Sequence, residues 1–401
     1  MELQLTTTQR AVCVLLRAAL FDGPKEIPEQ TDLNAVCREM AEQCVLALPG
    51  DILKELEIPE ALRQLWTNTI KRQAFTCYHL IAEQSALVAL MDGAQIPFVV
   101  LKGTAAAMLY PRPEYRAMGD IDFLVPAADF ERTQRLLLEN GYSPSGEITE
   151  QTRDCPYQRN GVLFELHRHF ATDLEDGRSR LLEQSIQDGL AHAQRQTILG
   201  SSFPMLPLLE NGLVLLEHIS QHLEAGLGLR QIIDWLMYVR STLHDAQWPE
   251  FEAAAERVGL RRLALIVTRM GQLYLGLPEA GISWCRDADE GLCRELLAHL
   301  FDSGDFGHKD TGRSATVNAM SRSSDGFFRN LQDSGCRNWK LLARCPYLKP
   351  FAWLYQLFRY VRLGLSRRKS IRSLLEDMAR GRRLNRMLRE LGATRHGKKT
   401  E

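Results

Sequence analysis

Phe98-Val-Val-Leu-Lys-Gly-Thr104 and Met118-Gly-Asp-Ile-Asp-Phe-Leu-Val125 are the stretches that decide the fold of this chain. The first reads as a buried strand over residues 97–101, a sharp turn at Lys102-Gly103, and a short helix over 104–110. The second reads as a strand over 120–125 that carries Asp120 and Asp122. Side chains two apart on a strand project from the same face, so the two carboxylates point together. Like charges among residues that favour burial are costly unless a cation lies between them. The pair therefore signals a divalent-metal site, with one or two Mg²⁺ as the natural occupants and Mn²⁺ as the alternative.

A second strand signal follows at Val162-Leu-Phe-Glu-Leu-His-Arg-His-Phe170, after the turn dipeptide Asn160-Gly161. Glu165, His167 and His169 alternate along it and are expected to face one side. If that strand lies beside the aspartate strand, Glu165 becomes a third carboxylate at the same centre. Three such groups can hold cations that bind a triphosphate for in-line displacement. The turn before them suits an anion. Gly103 lets backbone approach a phosphate, Thr104 can cap the following helix, and Lys102 adds a point charge. Arg116 is expected to reach a phosphate or a neighbouring carboxylate.

These elements sit between two helical regions. Residues 8–20, 33–47 and 61–91 carry apolar side chains at three- and four-residue steps, broken by Pro24, Pro28, Pro49 and Pro59. Helix 127–139 is stopped by Asn140-Gly141, and the stretch from there to Asn160-Gly161 reads as irregular. Residues 196–206 suggest a peripheral hairpin. Helical periodicity returns at 209–223, 229–240, 251–275 and 289–301. Residues 302–340 are poor in apolar side chains, and the end of the chain is first aromatic, then basic. The fold class is α+β: a small mixed-sheet core flanked by helical N- and C-terminal regions. The expected divisions are 1–69 helical, 70–206 core, 207–310 a helical domain completing the cleft, 311–345 a mobile loop, and 346–401 an aromatic and basic tail.

Composition excludes some classes. With 49 Lys and Arg against 50 Asp and Glu, bulk charge argues neither for nor against nucleic acid. The first residues lack the basic and apolar regions of a signal peptide, and no run of eighteen apolar residues suggests a membrane span. The nine cysteines include no CxxC pair, which points to reduced thiols in a cytoplasmic protein.

The pattern resembles the nucleotidyltransferase superfamily of the DNA polymerase beta type, and more narrowly a bacterial group of uncharacterised nucleotidyltransferases. The resemblance is carried by Val99-Val-Leu-Lys-Gly-Thr104, Leu109-Tyr-Pro111, Arg116-Ala-Met-Gly-Asp-Ile-Asp-Phe-Leu-Val125 and Phe164-Glu-Leu-His167. Leu215-Leu-Glu-His-Ile-Ser-Gln-His222, Leu229-Arg230, Asp234 and Phe301-Asp-Ser-Gly-Asp-Phe-Gly307 extend it over about residues 70–310. The wider superfamily has Gly-Ser on the turn after the first strand; the narrower group shares the Lys-Gly form found here.

The resemblance implies transfer of a nucleoside monophosphate from an NTP, ATP among the candidates, to a hydroxyl on a small molecule, peptide, protein or RNA end. Asp120, Asp122 and Glu165 would be catalytic and metal-binding, with Glu165 able to take the acceptor proton. Lys102, Gly103, Thr104, Arg116 and Gly119 would bind nucleotide. His167, His218, His222, Arg230 and Asp234 would line the site.

Each of these has a plainer reading. His218 and His222 have zinc-compatible i, i+4 spacing, but no third ligand is identifiable and they also suit a helix surface packed on the site. Arg230 and Asp234 form an intrahelical pair on spacing alone. From Arg359 to Lys399 there are fourteen Lys or Arg against three Asp or Glu. That tail suits an anionic membrane surface, with peripheral attachment, or RNA, or simply a solvated basic face. Two further classes therefore stand beside the enzyme: a catalytically silent nucleotide-binding accessory protein, and a membrane- or RNA-associated partner acting through the tail.

Overall fold

The computed structural model describes residues 5–146, 153–223, 226–304, 346–356 and 382–392, with 332, 335, 336, 338, 339, 341, 358 and 359. The loop expected at 311–345 lies largely outside them. Helix α1 (Thr7–Leu20) opens on a capping box, in which Thr6 accepts from the Gln9 amide and Gln9 answers to the Thr6 amide. Asp32 caps α2 (Leu33–Glu42) by accepting from the amides of Asn34 and Ala35. This helix stops five residues short of the expected Ala47, and Cys44 turns to φ 54° just beyond it. Two short 3₁₀ turns, Leu48–Asp51 and Leu53–Glu55, then lead to the long α3 (Glu60–Gly93).

The centre of the molecule is a mixed sheet. Strand β1 (Val99–Leu101) runs into α4 (Gly103–Ala107), then β2 (Asp120–Leu124) and α5 (Phe130–Glu139). Strands β3 (Ser143–Pro144), β4 (Asp154–Arg159) and β5 (Val162–His167) complete the order β1-β2-β5-β4-β3. Only β2 and β5 run parallel, with Asp122 opposite Glu165.

The irregular stretch expected before Asn160 is in fact β4. Asn160 at φ 49° and Gly161 at φ 78° both take the left-handed conformation, which closes a tight hairpin onto β5. Pro156, in mid-strand, hides β4 from a sequence reading.

Helix α6 (Gly177–Ala191), capped by Asp176, was also not expected. The hairpin at residues 196–206 is present as β6 (Gln194–Ile198) and β7 (Ser201–Met205). Helices α7 (Leu208–His222) and α8 (Leu229–Ser241) follow. The single helix expected over 251–275 is three pieces: α9 (Trp248–Arg257), α10 (Arg261–Met270) and a π-turn at Gly271–Leu275. Gly259 at φ 75° makes the first break. Helix α11 (Glu290–Ser303), a 3₁₀ turn at Pro346–Phe351 that runs into an aromatic helix over 352–356, and a segment over 382–390 come last. Among the described residues no helix is long and apolar enough to cross a membrane. Cys13, Cys285 and Cys293 are buried free thiols, pushed up to about 12 by desolvation, and so inert at neutral pH.

The period-two pattern of the strands divides the core. Val100, Ile121, Phe123, Phe164 and Leu166 pack with Leu80, Leu87 and Met91 of α3 and with Phe130 and Leu137 of α5. Val99, Leu101 and Leu124 face the other way, into the large cluster formed by α1, α7, α8, α10 and α11. Asp122, between Ile121 and Phe123 in the alternation, must share that second face. The carboxylates thus point towards the helical region.

One buried ion pair ties the two parts together. Arg116, on the loop before β2, donates from Nε and Nη2 to the two oxygens of Asp234 on α8, both at 2.7 Å. The Tyr110 hydroxyl donates to the same Asp234 Oδ1 at 2.7 Å. Arg116 and Asp234 are each 2% exposed. The expected Arg230–Asp234 pair is therefore replaced by one across the sheet–helix boundary, which a fork-shaped guanidinium fits better than a helix neighbour does. Removing one partner strands a charge in the core. Asp234→Asn or Arg116→Met should each cost about 3–5 kcal/mol in urea denaturation, and the double change should cost less than their sum. Single losses below about 1 kcal/mol would mean that the pair is not a structural tie.

Candidate metal centre

The site is built where β1, β2 and β5 end beneath α7 and α8. Among the described residues one group of potential metal ligands stands out: Asp122, Glu165 and His167, with ligand atoms all within 4.8 Å of one another. The parallel pairing of β2 and β5 sets Asp122 opposite Glu165, and His167 lies two residues further along the same face. Asp120 shares that face, but its carboxylate lies outside the group. His169 lies past the end of β5 and turns its Nδ1 to the Ala171 carbonyl at 3.0 Å. The expected alignment of Glu165, His167 and His169 therefore holds for the first two alone.

Asp122 is the focus. It is 3% exposed, and its Oδ1 accepts from Lys102 Nζ at 2.7 Å and from His167 Nε2 at 2.8 Å. Burial works to raise its pKa, but the Lys102 charge and the His167 hydrogen bond outweigh this and hold it well below the usual carboxylate range. Glu165 lies farther from these donors, with His167 Nε2 3.8 Å from its Oε2. Burial, then the charges of Asp122 and Asp120, push it up to about 8. Asp120 is also raised, first by burial and next by Asp122. The centre thus contains one firmly ionised carboxylate and two whose ionisation its own charge resists.

Burial lowers the His167 pKa, which leaves the ring neutral with a single N–H. Asp122 is acceptor-only, so the proton lies on Nε2 and the fully buried Nδ1 is a bare acceptor without a hydrogen-bond partner. A histidine that ligates through Nε2 normally hands its other N–H to an acceptor. His167 is better suited to orienting Asp122. The facing donors are then carboxylate oxygens, the chemistry that fits Mg²⁺ or Mn²⁺ rather than zinc.

The turn before the site departs from expectation in a telling way. Lys102 itself takes a positive φ (φ 43°, ψ −119°), which the sequence does not announce. A lysine in that region carries strain of about 1–3 kcal/mol, and here the strain delivers its ammonium to Asp122. A Cβ at Gly103 would make only an ordinary 3.5 Å contact with the Asp120 carbonyl, so space alone does not call for glycine there. Thr104 does not cap α4; its hydroxyl donates to Gln84 Oε1 at 2.6 Å in the core. Arg116 is turned to Asp234 and not to the turn. Gly119 immediately precedes β2, with open space around its Cβ position.

From above, α7 contributes His218, buried and held neutral first by burial and then by the Lys102 charge. Its ring meets that of His222 edge-on at 4.7 Å. Both therefore pack over the site, and no metal-ligand group forms around them among the described residues. Arg230 reaches the Ala117 carbonyl at 3.5 Å, and its charge acts on Asp120. Two supporting residues went unassigned in the sequence. Tyr110 lies inside the quoted Leu109-Tyr-Pro111 motif, whereas Gln84 gives no signal beyond a polar residue on a long helix.

The profile of the family described as "Uncharacterised nucleotidyltransferase" matches residues 29–276, more than half of the chain. Among solved structures, an antigenic nucleotidyltransferase-like protein from Paracoccidioides brasiliensis aligns over 51% of this chain and 96% of its own, at 18% identity and a TM-score of 0.30. A search of curated proteins finds no match.

The Glu165 environment makes a pH prediction. The folded state keeps the Glu165 proton up to about pH 8, whereas the unfolded chain releases it near 4.5. Stability from this group is full below 4.5 and is lost as pH rises through about 8. Denaturation midpoints in chelator, from pH 5 to 9, should fall more steeply for the wild type than for Glu165→Gln. Parallel profiles would contradict the geometry. The site and the matched profile lead to one identification: the chain belongs to the uncharacterised nucleotidyltransferase family.

Proposed function

We propose that the protein transfers a nucleoside monophosphate from an NTP to a hydroxyl acceptor in a reaction dependent on Mg²⁺ or Mn²⁺. The observation that carries this reading is the meeting of Asp122 and Glu165 on adjoining parallel strands, with Lys102 2.7 Å from Asp122. Asp122 and Glu165 would hold the cation, with Asp120 beside them on the same face. When bound, the cation supplies neutralisation of phosphate charge and acidifies an acceptor hydroxyl. His167 fixes the Asp122 carboxylate. Lys102 exchanges its contact with Asp122 for the triphosphate, since a flexible ammonium with three donors can serve either oxygen. Glu165, ionised once a cation is held, is the group placed to take the acceptor proton.

A second reading has its own support. Lys102 already neutralises the carboxylate that a metal needs, an arrangement that suits a nucleotide-binding protein without turnover. Pyrophosphate release separates the two. Screening the four NTPs with Mg²⁺ should give a metal-dependent rise in melting temperature and release of pyrophosphate once an acceptor is supplied. Asp122→Asn and Glu165→Gln should each abolish the metal-dependent shift and slow pyrophosphate release by about 100-fold while leaving the circular dichroism spectrum unchanged. Binding without pyrophosphate would favour the silent protein. Binding that survives in both variants would remove the site from consideration.

A further inference from the structure

We infer that the aromatic helix near the C-terminus is a docking surface for a bilayer rich in anionic phospholipid. Phe351, Leu354 and Phe358 are 54%, 46% and 67% exposed, and their i, i+3, i+7 spacing sets them along one narrow stripe of the helix. Tyr347, 74% exposed, lies in the 3₁₀ turn Pro346–Phe351 that leads into the helix. The opposite face is the packed one: Ala352 and Gln356 are buried. Gln332 holds this side by accepting from the Trp353 amide at 3.1 Å and donating to the Lys349 carbonyl. Trp339 stacks on Tyr355 with ring centroids 5.0 Å apart. The apolar stripe is therefore not a core face that has lost its register; the core face is already in use.

Charge indicates the partner. Residues 346–372 contain seven Lys or Arg and no Asp or Glu, in a chain whose formal net charge is −1. Lys349 is exposed beside Phe351, and Arg359 follows Phe358 directly. Large apolar side chains on one face with basic residues around them are the features of a helix that lies in the headgroup region. Anionic lipid adds attraction for each basic residue near the surface. RNA would be served by the basic residues alone and gives no reason for an exposed leucine between two phenylalanines. This surface is independent of the chemistry at Asp122.

The test uses the full chain and vesicles of phosphatidylcholine, with and without one-third phosphatidylglycerol. The wild type should float with the anionic vesicles, bind neutral vesicles about tenfold more weakly, and lose affinity as salt is raised. The triple variant Phe351→Ser, Leu354→Ser, Phe358→Ser should stay in solution with an unchanged melting temperature. Lys349→Gln with Arg359→Gln should weaken anionic-vesicle binding by about tenfold. Equal flotation of the triple variant and the wild type would overturn the proposal. So would absence of vesicle binding together with tight RNA binding, or a wild-type dimer that the triple variant converts to monomer without any vesicle contact.

Discussion

A carboxylate taken out of water must be compensated, and Asp122 is the point where this protein meets that demand. Two donors converge on one of its oxygens, from the turn after β1 and from the end of β5. The burial that makes Asp122 costly comes from the same strand alternation that buries Ile121 and Phe123 on the opposite face. Moving the strand by one residue would exchange the two sets. The register of β2 with β5 is thus a condition for both the core and the site, and Lys102 accepts an unfavourable backbone conformation to complete the charge balance.

The second constraint is the relation between sheet and helices. Arg116 and Asp234 are both buried, and removing either would leave the other as an uncompensated charge in the core. Their fork also fixes where α8 crosses the loop that leads into β2. Arg230, one turn before Asp234, is thereby brought to Ala117 and within electrostatic reach of Asp120. His218 on α7 closes the same space. A pair that contributes little chemistry of its own therefore decides which side chains overlook the carboxylates. The buried tie and the neutral histidines also make the surroundings of Asp122 less watery, which strengthens every charge interaction there.

Much of this was legible in the residues. The strand–turn–strand reading of 98–125 needs only a hydrophobic run, a Lys-Gly turn and an alternation, all of them local. Glu165 could be brought to Asp122 from sequence because β5 is itself alternating and follows a clear Asn-Gly turn. What was not legible depended on partners distant in the chain. Asp234 looks like a helix neighbour of Arg230 until Arg116 comes within reach of it. Thr104 looks like a cap until Gln84, twenty residues earlier, claims its hydroxyl. Strand β4 was hidden because Asp154-Cys-Pro-Tyr-Gln-Arg159 carries a proline and few apolar residues, and only pairing with β5 makes it a strand. The positive φ of Lys102 was not legible either, because lysine rarely takes that conformation and no local pattern marks it.

Asp122 and Glu165 are proposed together to form a divalent-cation site that Lys102 guards. Direct Mn²⁺ binding, followed by electron paramagnetic resonance on the full chain with and without ATP, tests it without requiring an acceptor. The wild type should take up Mn²⁺, more tightly with ATP; Asp122→Asn should lose it, and Lys102→Met should keep it. Uptake by Asp122→Asn equal to that of the wild type would contradict the proposal.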